Sequence, residues 1–339
     1  MGRILVRKTK KKKRLRRILF IVILMFLVLV GFGGYMAIQT LQAASESYDD
    51  LGREKSDLRE EVVSISKDPV SVLLMGVEDY STNGQNGRTD TLMIATFNPD
   101  DERLKLLSIP RDTLVEITGR GIQDKITHAH SFGGKKMTIE TVENFLDIPI
   151  DYYATVNFDA FKNVIDILGG VTVDVPFDFQ QNSDDRKAEK LQFYEGEMEL
   201  DGRYALAYAR MRYEDPRGDI GRNERQQEVI QAIISKALSV GTVTKIDDLA
   251  REVGNNVETN MRISEVLGFA KEYSNFSTSK IDKLKLETYP ETINGVSYQI
   301  VDEASLDEVK AVLKDHLEIA SSSYEDDRFY EASAYGETN

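Results

Sequence analysis

Residues Ile18 to Ile38 form a run of 21 residues without a charge, and this run limits how the rest of the chain can be disposed. At about 1.5 Å per residue, a helix of that length crosses the ~30 Å hydrocarbon layer of a bilayer. A cleavable signal peptide has a shorter apolar region, about 7–15 residues, that ends at small residues. Ala43-Ala44-Ser45 keeps that alternative open. The flanks decide the orientation. Residues 1–17 carry ten Lys or Arg and no acid, and the first acid in the chain is Glu46. Cations gather on the cytoplasmic side of a span. The expected arrangement is therefore a basic cytoplasmic segment at 1–17, a single transmembrane helix at 18–38, and everything after it outside the cell membrane. The basic head suits contact with anionic lipid. A nucleic-acid arm is its other common use, which the adjoining span argues against, so no nucleic-acid partner is expected.

Beyond Arg17 the chain holds 33 basic and 57 acidic residues, a net of −24 that the whole-chain value of −14 conceals. There is no cysteine, which excludes disulfides, thiol nucleophiles and thiolate metal sites, and suits a Gram-positive surface. A hydrophobic fraction of 41% is ordinary and can supply a core.

Residues 39–67 read as a helical stalk outside the membrane. Ala44, Tyr48, Leu51, Lys55, Leu58, Val62 and Ile65 follow alternating four-three spacing, a weak seam or an ordinary juxtamembrane helix. Pro69 ends it. A domain over 68–319 follows. It opens with a strand at Val70 to Met75, then two apolar runs, Leu92 to Phe97 and Leu104 to Ile109, joined by Asn98-Pro99-Asp100-Asp101 as a hairpin. A helix is expected over Met137 to Leu146, a strand over Tyr152 to Val156, and a helix over Phe158 to Leu168 stopped by Gly169-Gly170. Val171 to Val175 is a strand, and polar Phe177 to Glu197 reads as a long loop. Further helices are expected from Gly202 to about Ala209, from Arg222 to Leu238, and at 246–252, 263–275 and 305–316, with strands at 283–288 and 296–301. This mixture implies an α/β fold, an α+β sandwich with a mixed central sheet flanked by helices. Residues 320–339 are acidic and polar, and read as a disordered tail.

Three clusters carry chemistry. In the first, Gly76-Val77-Glu78-Asp79 and Gly87-Arg88-Thr89-Asp90-Thr91 place acids at strand ends beside glycine loops. Carboxylates so placed can converge on a divalent cation, Mg²⁺ above all, or can simply be solvated. In the second, Ser108-Ile109-Pro110-Arg111-Asp112-Thr113 sets an Arg-Asp pair just after a strand, where a structural ion pair is the plainer reading. In the third, Leu191 to Ser235 holds six arginines and no lysine: Arg203, Arg210, Arg212, Arg217, Arg222 and Arg225. Arginine is favoured where a planar fork grips phosphate oxygens. Asp219, Arg222 and Gln226 share one helix face, near a helix start that favours anions; the plain role of Asp219 there is as a cap. A compact phosphate or pyrophosphate site explains an arginine patch in so acidic a domain. His128 and His130 have no evident third metal ligand and read as packing residues, with Lys125 as the neighbour better suited to phosphate. P-loop, nucleophile-elbow and HExxH motifs are absent.

Together these stretches resemble the LytR-CpsA-Psr family of cell-wall phosphotransferases. The resemblance rests on GVED at 76–79, GRTDTLMIATFNP at 87–99, SIPRDT at 108–113, KITHAHSFGG at 125–134, LGGVTVDV at 168–175 and LDGRYALAYARMRYEDPRGDIGRNERQQ at 200–227, in family order. It implies transfer of a glycan phosphate (wall teichoic acid, capsule or another secondary polymer) from a polyprenyl-pyrophosphate carrier to peptidoglycan, at the C6 hydroxyl of N-acetylmuramic acid. It also implies Mg²⁺, or Mn²⁺, held by Asp90 and Glu78, with Glu78 standing where the family usually has aspartate. Arg88, Arg111, Lys125, Arg210, Arg212, Arg222 and Gln226 are implied to grip the pyrophosphate. Arg111 and Asp219 are implied to be catalytic, Asp219 either as base to the acceptor hydroxyl or as orienter of the arginines. An apolar tunnel for the lipid is implied too; Phe158, Phe161 and Ile165 are candidates that core packing explains equally well. A pyrophosphatase that releases the glycan to water and a non-enzymatic lipid-binding scaffold are the competing functions.

Overall fold

The computed structural model describes residues 48–77, 87–183, 189–237, 249, 257–262, 265 and 278–319. The basic head, the span at 18–38, residues 39–47 and the tail at 320–339 lie outside the described residues, as do the helical patterns at 246–252 and 263–275 apart from Leu249 and Glu265. Among the described residues no helix is long and apolar enough to cross a membrane.

A six-stranded mixed sheet organises the domain. It comprises β1 (Val70–Val77), β2 (Thr89–Asn98), β3 (Arg103–Ile109), β6 (Tyr152–Val156), β11 (Val257–Thr259) and β12 (Ile281–Leu284), in the order β11-β6-β1-β2-β3-β12. β1 runs antiparallel to β2 and parallel to β6; β3 runs antiparallel to β2 and parallel to β12. The expected hairpin across Asn98 to Asp101 is present, with Asn98 paired to Arg103.

β2 shows why this sheet is sandwiched. Successive side chains on a strand point to opposite faces. Leu92 and Ile94 enter one core, with α1 (His128–Leu146) and α5 (Glu303–His316). Met93, Ala95 and Phe97 enter another, against Ile230 and Ile234 of α4 (Asp219–Ala237). Both faces are covered, so the strand reads as a continuous apolar run, and each fully buried Ile or Leu stabilises by roughly 1.5–3 kcal/mol. A third core lies outside the sheet. There α2 (Phe158–Leu168), β7 (Val171–Val175), β8 (Phe179–Asn182), β9 (Lys190–Phe193), β10 (Gly196–Leu200) and α3 (Gly202–Arg210) close around Phe193 and Tyr208. Two smaller hairpins complete the fold, β4 (Leu114–Ile117) with β5 (Ile122–Lys125), and β13 (Thr288–Ile293) with β14 (Val296–Val301).

Three expectations change. Residues 48–67 form no helical stalk. They run as an irregular strap pinned to the domain: Tyr48 bridges Thr259, Arg53 pairs with Glu143 at 3.0 Å, and Arg59 pairs with Asp151 at 2.7 Å. Buried Ser56 donates to Glu143, and Ile65 is core. Leu58 and Val62 of the supposed seam are exposed, so charge pairing rather than a heptad directs this segment. The expected loop at 177–197 contains two strands and the start of a third. β8 pairs with β9 and β10 with β7, and Phe179 stacks on Phe193 at 4.5 Å. Only alternate residues are buried there, which gave the stretch its polar look. The helix expected from Met137 starts at His128 and carries a break at Gly133 and Gly134; Gly134 has φ of 64°, which interrupted the sequence periodicity.

Candidate active site

The third core and the main sheet meet where several strand and helix ends converge. Asp90 lies at the head of β2, and Arg111 and Asp112 follow β3 directly. Lys125 ends β5, Arg210 ends α3, Arg212 lies just beyond it, and Asp219 opens α4. The α3 start is encoded locally, because the Asp201 side chain accepts the Tyr204 N–H as an N-cap. The α4 register then sets Asp219 and Arg222 one turn apart.

Two ion-pair sets face one another here. Arg111 Nη1 lies 2.6 Å from Asp90 Oδ1, and Lys125 Nζ 2.8 Å from Asp112 Oδ1. The sequence neighbours Arg111 and Asp112 also pair, at 3.7 Å through Nε, so the adjacent pair read from the sequence is present and is joined by two shorter contacts to residues distant in sequence. Opposite them Asp219 is gripped by two guanidinium groups. Its Oδ2 lies 2.9 Å from Arg212 Nη2 and its Oδ1 2.7 Å from Arg222 Nη2. Burial works against the charge of Arg111, but Asp90, Asp112 and Asp219 together hold that guanidinium above its ordinary value. Arg222 goes the other way. Burial, with Asp219 opposing, and then repulsion from Arg111 and Arg212 hold it below its ordinary value. Burial also opposes charge on Asp112, yet Lys125 and Arg111 hold its carboxyl low. Nε of Arg111 and Nε of Arg222 are buried and have no hydrogen-bond partner among the described residues. Buried charged donors left without acceptors are costly. An anion with several oxygens would satisfy both donors and relieve the repulsion.

The remaining predicted residues are placed less centrally. Arg210 is exposed and lies over the Phe158 ring at 4.7 Å, so Phe158 supports a cation while Ile165 is fully buried in the third core. Gln226 donates to Ala209 O at 3.4 Å and ties α4 to α3. Arg88 is exposed just before β2. Glu78 lies outside the described residues. The histidines hold structure: His130 Nδ1 donates to Gly87 O at 2.6 Å, and His128 meets Asp124 at 2.8 Å. With Thr127, whose hydroxyl donates to Thr89 O, His130 fixes the approach to Asp90.

The six arginines divide in two. Arg212 and Arg222 face the site, and Arg210 flanks it. Arg203 pairs with Glu189 and Arg217 with Glu224. Arg225 is buried, donates to Asp215 Oδ2 at 2.5 Å, and donates to the carbonyls of Tyr208 and Met211.

The LytR_cpsA_psr family profile matches residues 34–315. This chain belongs to the LytR-CpsA-Psr family. It is 49% identical over 297 residues to the polyisoprenyl-teichoic acid–peptidoglycan teichoic acid transferase TagV of Bacillus subtilis (strain 168), covering 86% of this chain and 76% of that protein. The crystal structure of B. subtilis TagV matches with a TM-score of 0.68 at 47% identity, over 75% of this chain and 99% of that one. The structure of the B. subtilis protein YwtF (TagT) with bound octaprenyl pyrophosphate lipid matches with a TM-score of 0.62 at 33% identity, over 78% of this chain and 97% of that one.

Within this LytR-CpsA-Psr domain, Asp215 is the site-shaping residue whose role the sequence does not signal. Asp215 sits in Asp-Pro-Arg-Gly-Asp, a turn signal that marked it as loop. Its carboxylate receives Arg225, and a Cβ on Gly221 would come within 1.7 Å of its Oδ2. The first turn of α4 therefore needs glycine at that position to close over a buried carboxylate.

Proposed function

We propose that this chain transfers a glycan phosphate from a polyprenyl-pyrophosphate carrier to peptidoglycan, at the C6 hydroxyl of N-acetylmuramic acid, with the domain held outside the cell membrane by the span at 18–38. Teichoic acid is the first candidate polymer, from the names of the relatives. The observation that carries the reading is the convergence of Arg111, Arg212 and Arg222 around Asp219 and Asp90, with two buried Nε donors left over.

Phosphoryl transfer needs positioning and neutralisation of spreading charge more than covalent help. The acceptor oxygen attacks the phosphorus that bears the glycan. The bond from that phosphorus to the bridging oxygen breaks, and polyprenyl phosphate leaves with the electron pair. Arg111 and Arg222 supply preorganised donors to the phosphate oxygens, in a partly dried site where they act strongly. Arg212 completes the grip, and exposed Arg210 and Arg88 extend positive charge towards solvent. Lys125, held by Asp112, adds a cation on the Arg111 side. Asp219 lies within ion-pairing distance of Arg212 through Oδ2 and of Arg222 through Oδ1, while Oδ1 makes no hydrogen bond among the described residues; its first task is to hold the two forks at one spacing. The hydroxyl proton passes to it as substrate phosphate takes over those forks.

The donor set also fits Mg²⁺ or Mn²⁺. Asp90 is a hard oxygen ligand, partly exposed and paired with Arg111 through Oδ1, and Mg²⁺ is held by one or two carboxylates with water and phosphate filling the rest. Asp90 would hold the ion, with Glu78 as its expected partner. When bound, the ion supplies further neutralisation of pyrophosphate charge.

The test is a transfer assay with the full chain in detergent, a short-chain polyprenyl-pyrophosphate glycan, a soluble peptidoglycan oligomer and Mg²⁺, read by mass spectrometry. A glycan-phosphate adduct lost in Arg111→Ala and Asp90→Ala is expected. Free glycan phosphate alone, with acceptor in excess, would reassign the chain as a pyrophosphatase. Donor binding without any product would reassign it as a scaffold.

A further inference from the structure

A cavity of about 430 Å³ opens on the flank of α4 that carries Ile220, Asn223 and Gln227. Its wall includes Ser108 and Pro110 from the end of β3, Ile220 and Asn223 from α4, and Lys283 and Leu284 from β12. Each of three wall residues has a chain neighbour in the site: Pro110 precedes Arg111, Ile220 follows Asp219, and Asn223 follows Arg222. The cavity wall and the phosphate grip therefore use neighbouring residues of the same segments, and the cavity volume lies within the range of about 300–1,000 Å³ typical of small-ligand pockets.

Two features specify what it takes. The first is Ser108. It is 7% exposed, it lines the cavity, and its hydroxyl has no hydrogen-bond partner among the described residues. A buried hydroxyl with nothing to bond is rare, and this one fits a hydroxyl or amide from a ligand. The second is charge. The cavity wall carries four carboxylates and four cations, which cancel. Arg225 and Arg217 are spent on Asp215 and Glu224. Glu228 receives the Tyr208 hydroxyl at 2.7 Å, and Lys285 pairs with Glu287 at 2.8 Å. The arginine cluster next door suits a polyanion, whereas a phosphate-rich polymer gains nothing from this balanced wall. A saccharide that is neutral or carries both an ammonium and a carboxylate matches it.

We infer that this cavity is the acceptor subsite, which seats a peptidoglycan amino sugar and the base of its stem peptide so that a sugar hydroxyl projects past Pro110 towards the arginine grip. The inference rests on the transferase reading for its chemistry, but it is testable without turnover. The first sugars of the donor glycan share the same hydroxyl and amide chemistry, so the experiment separates the two sources.

The full chain in detergent is titrated calorimetrically with three probes: a soluble disaccharide-pentapeptide, a short-chain prenyl pyrophosphate, and the same prenyl pyrophosphate bearing a disaccharide. The variants are Asn223→Trp, which fills the cavity, and Ser108→Ala, which removes one bond without bulk. Asn223→Trp is expected to weaken the disaccharide-pentapeptide about tenfold or more by overfilling the pocket. Ser108→Ala is expected to weaken it about threefold to tenfold, the scale of one hydrogen bond. Both should leave the two pyrophosphate probes within about twofold of wild type, a difference well under 1 kcal/mol. Unchanged disaccharide-pentapeptide binding in Ser108→Ala, in protein with wild-type melting, overturns the assignment. So does selective loss of the glycan-bearing donor, which would give the cavity to the donor sugar. If wild type transfers nothing yet shows this pattern, the subsite stands and the transferase reading falls.

Discussion

Asp215→Ala should be the most damaging single substitution near the site that touches no substrate. The Asp215 carboxylate is fully buried and the Arg225 guanidinium is 2% exposed, with 2.5 Å between them. Removing one partner of a buried pair leaves an uncompensated charge and costs about 3–5 kcal/mol. In a domain of this size, about 2–4 °C is lost per kcal/mol, so the melting temperature should fall by about 6–20 °C. The Arg225 bonds to the carbonyls of Tyr208 and Met211 survive, which favours the lower half of that range. Burial opposes the charge on Asp215, but Arg225 and Arg217 together hold the carboxyl below its ordinary 3.8. A depressed acid stabilises above its unfolded value and loses that contribution as pH falls through the folded one. The wild-type-to-variant gap should therefore be constant from neutral pH down to about 4 and close below it. Chemical denaturation and thermal melting at pH 7 and pH 3 measure this. A double cycle with Arg225→Met isolates the pair, and its coupling should carry most of the loss. A fall of less than about 2 °C at pH 7 would show that water screens the pair and that α4 is not anchored through Asp215.

Asp219→Asn should weaken prenyl-pyrophosphate binding as well as slow transfer, because Arg212 and Arg222 lose their shared anchor; loss of turnover at unchanged affinity would instead make Asp219 a base only. Gly221→Ala should lower stability by roughly 1–3 kcal/mol despite alanine's helix preference of about 1 kcal/mol, since its Cβ would fall 1.7 Å from Asp215 Oδ2; equal melting temperatures would refute the contact. Asp282, between Arg103 and Lys105, is held down to about 2. NMR titration should find its midpoint there rather than near 3.8, while Asp282→Asn changes stability by no more than about 1 kcal/mol, because the pair is partly exposed to solvent. Asp90→Asn should shift the Mg²⁺ dependence of transfer to higher concentration, and an unaltered titration would remove Asp90 from the metal site.

The elements legible in the sequence were those with strong local signals. Tyr152–Val156, Phe158–Leu168 and Val171–Val175 appear within the expected bounds, because their apolar runs are marked off by Gly169-Gly170. The strands inside 177–197 were hidden because β8 and β9 are only four residues each and set polar, exposed residues between their few buried ones. The arginine cluster was visible as a composition bias, but its division was not. Arg222 and Arg225 are three residues apart on one helix; one faces the phosphate grip and the other is locked to Asp215. That choice depends on where residue 215 folds back. The strap at 48–67 departs from a helix because heptad spacing is indifferent to whether Arg53 and Arg59 find carboxylates on a distant helix and just ahead of a distant strand.

That strap has a geometric meaning. Tyr48 is already bridged to the edge strand β11, and Arg53 and Arg59 are fastened across to Glu143 and Asp151. No slack is left between residue 48 and the sheet, so the arginine cluster keeps a set distance and orientation from the point where the described chain enters the domain. A loose entry would let the site turn freely about that point. Here the lever is stiff, and a pull applied at residue 48 is shared by β11, α1 and the start of β6 rather than taken up by slack.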